Sequence, residues 1–150
     1  MPLVAAALTL CMVMTVGDGD SLTVRCAGGP GEQLRIAAID APELRQAWGR
    51  QARRNLAALC LRQTARVQAQ GRDKYGRTLA QVQCRGRDAA WVQVQAGLAW
   101  VHPSQARIHP ALAAAARQAR AQRRGLWAQK RPLAPWKYRQ RRAGARQGRS

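Results

Sequence analysis

The chain has 150 residues, 26 of them Lys or Arg against seven Asp or Glu, for a formal net charge of +19. A chain of this length buries roughly two-thirds of its unfolded surface, so one compact unit with a real core is the default. The charge draws polyanions at long range, nucleic acid being the commonest, although only three of the basic residues are lysines and an Arg- and Ala-rich composition can also reflect a biased genome.

The apolar run from Leu3 to Met14 has no Lys or Arg before it and is shorter than the roughly 20 residues a spanning helix needs, which excludes a membrane span there. We read residues 1–10 as the remnant of a leader or a disordered N-terminus, with most of the leader missing from the sequence. From Cys11 the pattern alternates like a strand, placing Met12, Met14 and Val16 on one face. Strands near 12–17 and 21–26 form a hairpin around Asp18-Gly19-Asp20, whose Asp-Gly step favours a tight turn. A third strand carries Leu34, Ile36 and Ala38. Arg35 and Asp40 would point to opposite faces of a flat strand, but Pro42 argues that the strand has ended by Asp40, which frees that side chain to turn back.

Trp48, Ala52, Leu56, Leu59 and Cys60 repeat at helical spacing, with Arg50, Arg53, Arg54 and Arg62 on the other face. Strands from Thr64 to Gln70 and from Thr78 to Cys84 follow, separated by Gly71–Arg77. Asp88 opens a short helix that stops at Gly97, and a third helix runs from Pro110 to Gly125. Trp91, Trp100 and Trp127 are read as core. The segment from Pro132 is Arg-, Gly- and Pro-rich with few apolar residues, and residues 137–150 are read as a disordered basic tail.

Four cysteines with no Cys-x-x-Cys pair and no nearby histidine argue against zinc. They suit either two disulfides, and so an oxidising compartment, or four buried thiols in a cytosolic protein. If bridged, Cys11 pairs with Cys26, which is equally far from the hairpin turn, and Cys60 with Cys84. The remaining chemistry is concentrated in scarce acids: Asp20, Asp40 and Glu43 lie in two turns of a chain that is otherwise overwhelmingly basic.

Five runs, Val-x-Asp-Gly-Asp-Ser-Leu-Thr-Val, Leu-Arg-Ile-x-x-Ile-Asp-Ala-Pro-Glu, Asp-Lys-Tyr-Gly-Arg-x-Leu-Ala, Gln-x-Gly-Leu-Ala-Trp-Val and Arg-Arg-Gly-Leu-Trp, occur in the order and at the spacing of the thermonuclease, or staphylococcal-nuclease-like, family. The chain resembles that family over residues 11–136. The resemblance implies an α+β, mainly β fold, a five-stranded barrel of the oligonucleotide/oligosaccharide-binding type with three helices. It also implies a calcium-dependent nuclease that hydrolyses DNA and RNA to 3′-phosphate ends. We further expect a monomer without a membrane partner, exported to the periplasm or secreted if the cysteines are bridged, a cytoplasmic location remaining open. One Ca2+ ion would be held by Asp20, Asp40 and the main-chain carbonyl of Ala41. Glu43 would orient or deprotonate the attacking water, and Arg35 and Arg77 would grip the scissile phosphate. Lys74 and Tyr75 fall where relatives contact the nucleotide. The alternative is a module that keeps the barrel and binds nucleic acid without cutting it. Such a module is expected to lack an acid or an arginine of this set, and all are present.

Overall fold

A computed structural model describes residues 7–148. Strand β1, Leu8–Asp18, begins earlier than the spacing predicts, and its first residues pair with a later strand (Leu8 with Gln68, Leu10 with Arg66). Residues 8–10 of the expected leader remnant therefore belong to the sheet; residues 1–6 lie outside the described residues. The facing also differs. Cys11, Val13 and Val16 point inward while Met12 and Met14 are exposed, because the pairing with β2, Ser21–Cys26, slips between Val13 and Thr15. One extra residue at a β-bulge reverses the phase of alternation.

Strand β3, Gly31–Ile36, lies beside β2 and ends two residues before Ala38, which sits at φ 75° and reverses the chain. The short β4, Ile39–Asp40, leads to helix α1, Gly49–Cys60, which buries Ala52, Leu56, Leu59 and Cys60 as its spacing predicts. Strands β5, Thr64–Arg72, and β6, Thr78–Cys84, follow, then the two-residue β7, Arg87–Asp88, and helix α2, Ala89–Gln95. Next come β8, Trp100–Val101, pairing with β4, and helices α3, Pro103–Ala106, and α4, Pro110–Ala121. A 3-10 turn at Gly125–Ala128 and helix α5, Pro135–Gln147, end the described chain.

The five long strands run in the order β3-β2-β1-β5-β6. The parallel pairing of β3 with β6, Leu34 with Thr78 and Ile36 with Ala80, closes them into a barrel, as expected. Closure removes the free sheet edges that would otherwise invite association. Val13, Val24, Leu34, Ile36, Val82 and Leu56 fill the interior. Trp127 is buried, as expected, and a smaller cluster of Ala119, Leu126 and Trp127 packs against Trp48 and Trp100. Trp91 is not core: it is 39% exposed on α2.

Cys11 is bridged to Cys26 and Cys60 to Cys84, and no described cysteine is free. The largest departure is the tail. Residues expected to be disordered form α5, because Pro135 is preset for the first helical turn and the helix base is anchored through contacts that composition does not reveal. Trp136 packs edge-to-face on Trp100 at 5.5 Å and on His102 at 4.8 Å, and Gln46 Nε2 donates to the Leu133 carbonyl. No described helix is long and apolar enough to cross a membrane.

Candidate active site

The β1–β2 turn is fixed from two sides. Asp18 Oδ1 accepts from the Asp20 N–H at 3.1 Å and from the Ser21 hydroxyl at 2.7 Å, an Asx-type turn. Gly19 is wedged so tightly that a Cβ there would lie 2.6 Å from the Ala52 Cβ and 2.7 Å from the Ala41 Cβ. Glycine is required by close approach, which an Asp-Gly turn signal does not reveal. Gln93, fully buried on α2, completes the clamp: its Nε2 donates to the Gly19 and Ala52 carbonyls, both at 2.8 Å, while its Oε1 accepts from Asn55 Nδ2.

Held this way, Asp20 is buried and its Oδ2 accepts from the Ala41 N–H at 2.8 Å. Burial, reinforced by the neighbouring Asp18 charge, pushes its carboxyl well above the usual carboxylate range, with Arg35 and the Ala41 N–H pulling the other way. Asp40 reaches the same place from β4, after the turn that places Ala38 at φ 75°. Arg35 then bridges the two acids, its Nη2 3.3 Å from Asp40 Oδ1 and 3.7 Å from Asp20 Oδ2. Glu43 follows in a turn where its N–H donates to Gln46 Oε1.

The facing wall is the β5–β6 connection. Asp73 accepts from the N–H groups of Tyr75 and Arg77, both at 2.9 Å, and from Arg77 Nε at 2.7 Å. Slight desolvation works to raise the Asp73 pKa, but these hydrogen bonds outweigh it and hold the carboxyl below its ordinary value. Tyr75 is 73% exposed, with Lys74 Nζ 5.2 Å from its ring centroid.

One cleft of about 680 Å³ is lined by all seven side chains named from the sequence: Asp20, Arg35, Asp40, Glu43, Lys74, Tyr75 and Arg77. Ala41 does not line it. Four further residues do, Asp18, Asp73, Leu79 and Arg139, and sequence reasoning gave them no role there. Asp73 had a signal, its (i, i+4) spacing to Arg77. Arg139, in α5, had none; it was one more arginine in a basic tail. Its Nη1 donates to Glu43 Oε1 and its Nη2 to Asp40 Oδ2, each at 2.7 Å. These hydrogen bonds, that to Asp40 foremost, hold the Arg139 guanidinium above its ordinary pKa despite its partial burial.

The donor set facing the cleft is all oxygen, which suits a hard cation such as calcium or magnesium and not zinc. A guanidinium already stands in for a cation between Asp40 and Glu43, so these acids do converge on positive charge. Among the described residues no group of three or more His, Cys, Asp or Glu is arranged to hold a metal ion; Arg35 and Arg139 lie between the carboxylates.

Residues 33–129 match the family described as staphylococcal nuclease homologue. The matched segment contains Arg35, Asp40, Glu43 and Arg77 but starts after Asp20, whose place in the site rests on geometry. Relatives include an uncharacterized endonuclease of Haemophilus influenzae, 35% identical over 129 residues that cover 86% of this chain and 72% of that one. Another uncharacterized endonuclease, from Escherichia coli, is 37% identical over 130 residues, 86% of this chain and 84% of the relative. A micrococcal nuclease of Shigella flexneri is 35% identical over 141 residues, 85% and 78% of the two chains.

Proposed function

The chain belongs to the staphylococcal nuclease family, and from that premise we propose that it is a calcium-dependent nuclease hydrolysing the phosphodiester bonds of both DNA and RNA to leave 3′-phosphate ends. One observation carries the reading: scarce carboxylates from two short runs, an arginine from β3 and an arginine from the β5–β6 connection meet in a single open cleft on a strongly basic protein. Asp20, Asp40 and the Ala41 carbonyl would hold the ion, which when bound would offset phosphate charge and make a coordinated water more acidic. Glu43, about one-third exposed at the cleft, is the base that takes the proton from the attacking water.

Arg77 is steadied by Asp73 through Nε, so the edge with its two terminal nitrogens is left for two phosphate oxygens. Arg35 shares a corner with Asp20 and Asp40 and approaches the same phosphate from the side of the cation. Together they stabilise the charge on the phosphoryl oxygens as the water attacks phosphorus. The exposed Tyr75 ring offers a stacking surface and Lys74 a charge for the neighbouring nucleotide, neither of which reads sequence or distinguishes deoxyribose from ribose.

Every one of these groups comes from one chain, which supports a monomer acting alone. The two disulfides support export to an oxidising compartment. The test is digestion of single-stranded DNA and of RNA with excess calcium and with a chelator, followed by end-group analysis of the products. Cleavage that needs calcium and leaves 3′-phosphates is expected; a pure protein that binds but cuts neither polymer would leave the non-catalytic binding module in its place.

A further inference from the structure

Arg139 lies where the proposed function needs room for a cation, and the inference below rests on that function. Its two terminal nitrogens engage Asp40 and Glu43 at once, Nη1 to Glu43 Oε1 and Nη2 to Asp40 Oδ2 at 2.7 Å, with Nη1 also 3.3 Å from Asp40 Oδ1. Arg35 holds Asp40 Oδ1 from the other side at 3.3 Å. Both oxygens of Asp40 therefore face guanidinium groups. A hard cation binds through those same oxygens, so it and Arg139 compete for Asp40.

The arrangement is braced by the residues that shape the site itself. Trp136, one helical turn before Arg139, packs on Trp100, whose backbone pairs with that of Asp40. Gln46 holds the Leu133 carbonyl with one end of its amide and the Glu43 N–H with the other. Ala134 and Pro135 are buried at the helix base, whereas Arg141, Arg142 and Arg146 beyond Arg139 are exposed. One end of α5 is seated beside the carboxylates and the other presents free positive charge to solvent.

We propose that α5 is a built-in cap, with Arg139 occupying the carboxylates in the resting protein and giving way when a divalent cation and a polyanion arrive together. Phosphates that engage Arg141, Arg142 and Arg146 draw the helix toward the bound strand, and Asp40 and Glu43 pass from guanidinium to cation. Cation binding is weak without nucleic acid, because only the uncapped fraction is competent and the apparent affinity falls by that fraction.

The test uses the full-length protein and its Arg139→Gln variant. Thermal unfolding first establishes that both are folded, as expected for a replacement at a half-exposed side chain. Calcium alone is then titrated calorimetrically, without nucleic acid, and DNA cleavage is measured across the same calcium range. Arg139→Gln should bind calcium roughly tenfold more tightly, the change expected if about one molecule in ten is uncapped at rest, and should cut faster than the wild type at low calcium. Arg139→Lys, which keeps the charge but not the paired contact, should fall between the two. If the wild type cuts with calcium while Arg139→Gln binds calcium no more tightly, the cap is refuted and the nuclease stands. If neither protein binds calcium or cuts, the proposed function fails and the cap with it.

Discussion

Gln93 is fully buried, and its amide is the link between the turn that carries Asp20 and the helix α1 behind it. Replacing it with Leu keeps the volume but leaves the Gly19 carbonyl without its partner, takes one donor from the Ala52 carbonyl, and releases Asn55 to find water at the edge of the core. A buried polar group left unpaired costs about 1–3 kcal/mol, so the loss should be about 2–4 kcal/mol with no cavity term. The consequence reaches the site, since Gln93 orients a proposed metal ligand without touching the metal; supporting residues of this kind typically change affinity by about tenfold or more. Urea unfolding followed by tryptophan fluorescence reads the first effect, and the calcium concentration for half-maximal cleavage reads the second. Gln95→Leu, on the exposed face of the same helix, is the control. The reasoning is refuted if Gln93→Leu loses less than about 1 kcal/mol, or if stability falls while the calcium requirement stays where it was.

Arg77→Ala should slow turnover by about 100-fold or more, the scale of losing one transition-state donor, and Asp73→Asn should slow it less, by loosening the same guanidinium; an Asp73→Asn variant worse than Arg77→Ala in single-turnover kinetics would contradict that order. The disulfides close separations of 15 and 24 residues, so replacing either pair with Ala should lower unfolding free energy by about 3 kcal/mol; a urea midpoint that hardly moves would count against both. Burial holds the Asp88 carboxyl above its ordinary value, with weaker pulls the other way from backbone N–H groups and His109. Its folded state thus binds the proton more tightly than the unfolded one, so its stabilising contribution is whole below the unfolded value near 3.8 and is lost as pH rises through the folded value. Asp88→Asn should gain in melting temperature over the wild type above that window and not below it, and a difference independent of pH would reject this.

The site was legible because its residues come in short runs whose spacing survives folding: the β1–β2 turn, the run from Arg35 to Glu43 and the β5–β6 connection supply all seven cleft side chains. What escaped was set by backbone detail and by distant contacts. Pro42 was the right kind of clue for why Asp40 can meet Arg35, but the reversal occurs at Ala38, a residue with no turn propensity placed in the left-handed region. A bulge at Met14 shifted the facing of β1, since alternation cannot reveal an inserted residue. Helix α5 was missed because its order comes from one tryptophan and a glutamine amide, not from an apolar stripe. Asp73 could have been found from its spacing to Arg77; Arg139 could not, being indistinguishable in sequence from its neighbours.

The parallel seam between β3 and β6 carries a consequence for when this protein becomes dangerous to a cell. Arg35 lies in that seam opposite Leu79, and Arg77 is the residue just before the seam begins at Thr78. The two arginines come together in the cleft only when segments some 40 residues apart have zipped together, among the slower kinds of contact a chain makes. A nascent or partly folded chain therefore carries every cleft residue yet has no assembled cleft. Delay is built into topology, and a cell that handles the chain before the seam has closed handles one whose cleft is still unmade.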